Sequence, residues 1–347
     1  EPYELLLQSL RDEARLNTQG VIILQRTILR LLVNRLLTEQ AFAANPEMEE
    51  TPIERPLYIL GFPRTGTTLL HNLLSRDPAA RWLRLWEGLH PAPPPESLED
   101  DPRISQTEEF VAGFEKIAPR LASAHKLNAT GPEECLWLIE HTFADFIFEL
   151  RANIPSYSNW LAGHEADAVW YRYYRRQLQM LSWKCRGIHW VCKAPRHLPG
   201  LGGLMSVFPD ARIVQTHRGA ENVLPSICSL CEITRSNESY VVDNATLGAH
   251  SFQRLLEIER RSSEVRAAAD PGQFLDVQYA DLIADPIGTV RRIYEHHGCD
   301  YSDEFENGMK QWLADNRQHK HGAHRYSLEE YGLDAETVRS DFAGIEK

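Results

Sequence analysis

The sequence predicts an α/β fold, a parallel sheet flanked by helices, with further helices ahead of the sheet and inserted within it. Three observations carry that reading. The run Leu57-Tyr-Ile-Leu60 is short and apolar, and it leads through a glycine-bearing loop into a helical pattern. Three later apolar runs, His189-Trp-Val-Cys-Lys193, Ala211-Arg-Ile-Val-Gln-Thr216 and Phe274-Leu-Asp-Val-Gln-Tyr279, are separated from one another by helical sequence. Strands alternating with helices pair in parallel and are covered on both faces. Residues 4–44 and 106–184 hold helical sequence on either side of the first strand.

Each element follows in order. Residues 4–44 place apolar side chains at helical spacing, as in Leu24-Gln-Arg-Thr-Ile-Leu-Arg-Leu-Leu-Val-Asn-Arg-Leu-Leu37, with no proline to interrupt them. One or two amphipathic helices are expected, making 1–50 a helical extension before a single domain at 51–347. Asn45-Pro46 and Thr51-Pro52 break the pattern, and Pro56 precedes the first strand. A helix is expected over 67–75. Trp86-Glu-Gly-Leu-His-Pro-Ala-Pro-Pro-Pro95 reads as an extended surface loop at the mouth of a site, neither regular helix nor central strand. Residues 106–184 read as an aromatic-rich helical insertion, most of whose rings pack a core.

Composition narrows the function. Lys and Arg number 37 against 49 Asp and Glu, a formal charge of -12, which argues against a broad basic surface for nucleic acid. Arg55, Arg64, Lys193, Arg196, Arg212 and Arg218 nevertheless flank the strand-like runs, so positive charge is expected around a small anion. No apolar run reaches the ~18 residues of a membrane span, and Glu1-Pro-Tyr-Glu lacks the pattern of a signal peptide. A soluble, cytoplasmic protein is expected. The six cysteines are too sparse for a disulfide framework, and Cys228-Ser-Leu-Cys231 lacks a second Cys/His pair, so structural thiols and no metal are expected.

Gly61-Phe-Pro-Arg-Thr-Gly-Thr-Thr68 has the two glycines and following helix of a P-loop, and the sheet it joins is therefore P-loop-like. Backbone N–H groups at the helix start and the hydroxyls of Thr65, Thr67 and Thr68 suit a phosphate, with Gly66 permitting close approach. The lysine that serves the β and γ phosphates of a nucleoside triphosphate is replaced by Thr67, and the loop's cation is Arg64. A ligand with one phosphate or phosphosulfate at this place is expected.

A second motif is Thr216-His-Arg-Gly-Ala-Glu-Asn-Val-Leu-Pro-Ser226, where a strand ends at Arg218 and Ser226 follows two helical turns later. Together the two motifs resemble the signatures of sulfotransferases that use 3'-phosphoadenosine 5'-phosphosulfate (PAPS). The resemblance extends over about residues 20–333. Val191-Cys-Lys-Ala-Pro-Arg-His-Leu198 resembles the strand end that bears a catalytic lysine, and Val277-Gln-Tyr-Ala-Asp-Leu-Ile283 the segment whose tyrosine seats adenine. Trp86-Glu87, Gly131-Pro-Glu-Glu-Cys135 and His324-Arg-Tyr-Ser-Leu-Glu-Glu-Tyr-Gly-Leu333 are similar to the bacterial branch that is closer to tyrosylprotein sulfotransferases than to the small cytosolic enzymes.

The resemblance implies a transfer of the sulfuryl group from PAPS to a hydroxyl of a small acceptor, leaving 3',5'-adenosine bisphosphate (PAP). Arg64 and Lys193 would face the leaving phosphate. Arg64, Thr65, Gly66, Thr67 and Thr68 would hold the 5'-phosphosulfate, Arg218 and Ser226 the 3'-phosphate, and Tyr279 the adenine. Lys320, His321 or Arg325 would assist at the 3'-phosphate. For the base, Glu87 resembles the glutamate of tyrosylprotein sulfotransferases, and His197 lies near the position of the cytosolic enzymes' histidine; Glu133, Glu134 and His90 stand behind them. A nucleotide kinase or other P-loop phosphotransferase is the competing reading, opposed by Thr67 and by the Arg218/Ser226 pair. A nucleotide-binding protein without catalysis is the third, opposed by the presence of both Arg64 and Lys193. Trp86, Trp137, Phe143, Phe146 and Trp160 could line an acceptor pocket, but the acceptor itself and the oligomeric state are not legible.

Overall fold

The computed structural model describes residues 1–316 and 327–345. The chain opens with α1 (Pro2–Asp12) and α2 (Thr18–Ala44), then β1 (Leu57–Leu60), α3 (Thr67–Leu74), β2 (Ala80–Trp82) and α4 (Leu85–Leu89). A helical stretch follows: α5 (Pro102–Ile117), α6 (Pro119–Ala124), α7 (Leu136–Ile139), α8 (Ile147–Arg151), α9 (Pro155–His164) and α10 (Ala168–Ser182). Next come β3 (His189–Lys193), α11 (Leu201–Val207), β4 (Arg212–His217), α12 (Ala220–Glu238), α13 (Asn244–Ala267) and β5 (Phe274–Gln278). The remaining helices are α14 (Tyr279–Ala284), α15 (Pro286–His297), α16 (Asp303–Asp315) and α17 (Ala335–Ala343).

The five strands form one sheet in the order β2-β3-β1-β4-β5, every pair parallel. Burial on both faces explains the near-continuous apolar strands. Tyr58 and Leu60 of β1, Trp190 and Cys192 of β3 and Ile213 of β4 enter one core with α10 and α11. Leu57, Ile59, Val191 and Val214 point the other way, into a core with α3, α15 and α16. From β1 the chain goes out to the edge strand β2, returns to β3 beside β1, and later crosses to β4 on the other side of β1. The carboxyl ends of β1, β3 and β4 therefore border one crevice, the place where open parallel sheets bind ligands.

The N-terminal helices are as expected, and they share a core with α8 and α9, joining the extension to the inserted helices. Two expectations need correction. Trp86, Glu87, Gly88 and Leu89 do not run extended over the surface; they form most of α4 and are buried. The irregular path begins only at His90. The strand β2 was not expected either, because Ala80-Arg81-Trp82 carries a buried arginine in place of an apolar run.

Candidate functional site

The loop between β1 and α3 is shaped by its two glycines. Gly61 has φ 142°, and a Cβ there would lie 2.2 Å from Thr216 Oγ1. Gly66 has φ 93°, and its Cβ would lie 2.8 Å from Leu282 Cδ2 and 3.2 Å from the Tyr279 ring. Only glycine meets both demands. Arg64, also at positive φ, stands exposed at the loop tip. Thr65 turns inward: its hydroxyl donates to Phe62 O at 2.7 Å and lies 2.6 Å from Thr216 Oγ1, tying the loop to the end of β4. Its hydroxyl thus holds the loop together, whereas Thr67 and Thr68 begin α3. Their N–H groups, with that of Leu69, precede the first helical bond, from Leu70 N–H to Gly66 O at 3.0 Å, and so face outward without helical acceptors.

Arg218 closes the other side of the loop. Its Nη1 donates to Arg64 O at 3.0 Å, and its guanidinium lies 4.4 Å from the centroid of the Tyr279 ring. The two motifs and the Tyr279 segment, far apart in sequence, meet at one place. Ser226 lies buried in α12, the helix that starts after Arg218. Lys320, His321 and Arg325 lie outside the described residues. The other strand-flanking cations are placed elsewhere. Arg55 and Arg212 sit at the amino ends of β1 and β4, where Arg55 donates to His297 O at 3.1 Å and Arg212 bonds Cys299 Sγ. Arg196 is sealed in the interior, donating to Glu165 O at 2.7 Å. His217 ends β4 in a 2.6 Å contact with Asp276.

Lys193, the last residue of β3, pairs with Ile59 in the register of the sheet. Its side chain is 2% exposed, and Nζ donates to Glu134 Oε1. The segment carrying Glu134 is held by backbone: Glu133 N–H donates to Leu83 O and Cys135 N–H to Lys193 O, each at 2.8 Å. Glu133 Oε2 lies 3.3 Å from His125 Nε2. Burial works against the charge on each of this pair. Their mutual attraction overrides it, raising His125 above the usual imidazole value and lowering Glu133, with Lys193 helping to lower the latter. Glu134 is the more open of the two, its side chain 13% exposed against 2% for Lys193.

The two residues expected to compete as base are both taken up by the scaffold. Glu87 is fully buried; its carboxylate accepts from both terminal nitrogens of Arg81, and from Arg84 N–H at 3.0 Å as part of the first turn of α4. Three of its roughly four lone-pair sites are so occupied, and full burial keeps the carboxylate from a substrate arriving from solvent. His197 is also fully buried, with Nδ1 3.2 Å from Tyr171 OH and its ring 4.9 Å from that of Tyr58. Tyr58 and Cys192 face the core opposite to Val191, and alternation sends Lys193 to the side of Val191. Hence His197 lies across the sheet from the Lys193 side chain. His90 ends α4, and burial together with Arg30 and Arg103 depresses its imidazole.

Among the described residues no cluster of His, Cys, Asp or Glu could hold a metal. Cys228 and Cys231 lie in α12, where burial pushes their thiols up to about 11 and about 12. No helix of the described residues is long and apolar enough to cross a membrane.

Comparison with known proteins gives a consistent picture. The profile of the Sulfotransferase family matches residues 56–303. Sulfotransferase STF1 of Mycobacterium tuberculosis H37Rv superimposes with a TM-score of 0.88 at 36% identity, over 99% of this chain and 91% of that one. Sulfotransferase STF9 of Mycobacterium avium does so with a TM-score of 0.91 at 30% identity, over 99% and 89%. The omega-hydroxy-beta-dihydromenaquinone-9 sulfotransferase Stf3 of Mycobacterium bovis is 25% identical over 319 residues, 88% of this chain and 79% of that protein.

Proposed function

The chain belongs to the Sulfotransferase family, and on that premise we propose that it transfers the sulfuryl group of PAPS to a hydroxyl of a small-molecule acceptor, by in-line displacement. The observation that carries this reading is the meeting of Arg218, Tyr279 and the Arg64 loop at the end of β1, with the Lys193–Glu134 pair at the end of β3, the strand next to it, where Lys193 lies against Ile59. The first side supplies an anion-binding loop, two arginines and an aromatic ring; the second supplies a cation and a carboxylate.

When bound, the donor supplies a sulfuryl group and a phosphate leaving group. The loop N–H groups and Arg64 hold the 5'-phosphosulfate, Arg218 and Ser226 the 3'-phosphate, and Tyr279 the adenine face. Glu134 takes the role for which Glu87 and His197 are misplaced: its Oε atoms accept the proton of the acceptor hydroxyl as oxygen attacks sulfur. Lys193 and Arg64 offset the negative charge that gathers on the phosphate oxygen as its bond to sulfur breaks. Lys193 donates to Glu134 before the donor arrives, so a shift of Nζ toward the phosphate frees the carboxylate for the acceptor. The His125–Glu133 pair steadies the segment from which Glu134 projects. Residues 51–347 form one catalytic domain in this reading, with the 106–184 insertion on the acceptor side.

Calorimetric titration with PAP and with ATP tests the proposal. PAP is expected to bind at least tenfold more tightly, and a preference for ATP would return the chain to the phosphotransferase reading.

A further inference from the structure

We infer that the outer face of α2 is a dimer interface, and that its occupant is the same helix of a second copy laid antiparallel. The helix is firmly set on the body of the protein. Asn17 Oδ1 caps it through Gly20 N–H at 2.8 Å, and a Cβ at Gly20 would lie 2.0 Å from Glu238 O. Leu24, Ile28, Leu31, Thr38 and Phe42 are buried on its inner side. Val21, Ile22, Leu29, Val33, Leu36 and Leu37 point outward at 39–72% exposure. Among the described residues this one helix holds half of the exposed large apolar side chains, and scatter does not produce that concentration. Tyr240 and Val241, exposed beside the N-terminal end where Tyr240 N–H bonds Arg15 O at 3.0 Å, extend the apolar surface.

The spacing suits another helix. Ile22, Leu29 and Leu36 recur every seventh residue, and Val33 follows Leu29 by four, which is the period of a helix–helix seam. Arg26 and Gln40 share the seam and set its direction. Parallel pairing would bring Arg26 against the partner's Arg26, a like-charge contact. Antiparallel pairing about the level of Leu31, the midpoint of α2, sets Leu29 on the partner's Val33, parts the two Arg26 side chains, and brings each within a turn of the partner's half-exposed Glu39, whose carboxylate already pairs with its own Arg176 at 3.0 Å and would be shared. Six half-exposed apolar side chains present on the order of 500 Å², near the upper end of what a monomer leaves bare. With the polar residues between them the face comes to roughly the 800 Å² per partner of a standard interface.

The same face lacks the basic rim of a lipid-binding helix. Arg30 turns to Glu140 and Arg35 to His141 O, which leaves Arg26 as the outward cation between Val21 and Leu37, in a chain of net charge -12.

Sedimentation equilibrium of the whole chain is expected to give twice the 39.7 kDa protomer mass at about 100 µM. The substitutions L29E and L36E together alter only exposed positions, so circular dichroism and PAP affinity are expected to be unchanged. The dimer constant should weaken at least about 100-fold. R26E, facing the partner's Glu39, should weaken it about tenfold. A monomeric parent protein, or a dimer that survives L29E/L36E, would overturn the inference. So would a monomer that floats with phosphatidylcholine–phosphatidylglycerol vesicles and loses them in L29E/L36E, which would assign the face to lipid.

Discussion

Lys193 and Glu134, 59 positions apart, form an ion pair at the carboxyl end of the central sheet, with the lysine buried and the glutamate the more open of the two. Each residue predicts a separable loss. Lys193→Ala should leave PAP affinity within a few-fold of the parent, while turnover falls about 10²- to 10⁴-fold. Glu134→Gln should do the same. Single-turnover kinetics beside calorimetry checks both, and parental turnover in the Glu134→Gln protein would remove the carboxylate from the chemistry.

Glu87→Gln should behave in the opposite way. It leaves the buried Arg81 without its counter-charge, at a cost of about 3–5 kcal/mol. A lowered denaturation midpoint with near-parental turnover in the folded fraction is expected; an intact midpoint with lost turnover would restore Glu87 as the base.

Arg218→Ala should cut the preference for PAP over adenosine 5'-monophosphate by about tenfold or more, because a charge-assisted contact is lost. Ser226→Ala should cut it less. Equal affinity for the two nucleotides in the parent protein would count against this placement of the 3'-phosphate.

Stability should depend on pH through Asp145. Burial raises its carboxyl to about 7 despite Arg196 at 3.8 Å, so between about 4 and 7 the folded state holds a proton that the unfolded state has lost. Its contribution is therefore present at low pH and declines as pH rises toward 7. Buried His141, lowered to about 3, and His297, lowered to about 4, act in the opposite direction below pH 6.5. The difference between parent and Asp145→Asn isolates the effect: melting temperatures from pH 5 to 8 should show the variant gaining relative to the parent as pH rises. Parallel curves would refute it.

How much the sequence revealed follows physical lines. The strands β1, β3 and β4 were legible because burial leaves apolar runs bounded by proline, glycine or helical sequence, and β5 because its buried Phe274 and Val277 stand in a short β-rich run between helices. The glycine loop after β1 and the Arg218 motif were legible because their backbone demands select glycine and fixed spacing. The strand β2 was hidden by Arg81, whose buried charge makes sense only once Glu87 is seen beside it. Glu87 looked available for catalysis for the same reason: a sequence shows a carboxylate but not the arginine that occupies it. His197 misled through parity, since four residues after Lys193 the chain has left the strand and crossed to the other core. Glu134 stood behind both as a candidate in the sequence, because no residue type announces the backbone bonds that thread 133–135 beside β3.

One of those bonds, Cys135 N–H to Lys193 O at 2.8 Å, joins the strand that bears the lysine to the segment that bears the carboxylate. Because the link is a peptide group, it does not depend on the side chain at position 135. Proline alone would sever it. The relative placing of the Lys193 and Glu134 backbones is thus inherited with the fold, while the Cys135 thiol turns into the interior beside Cys192, His197 and Tyr174.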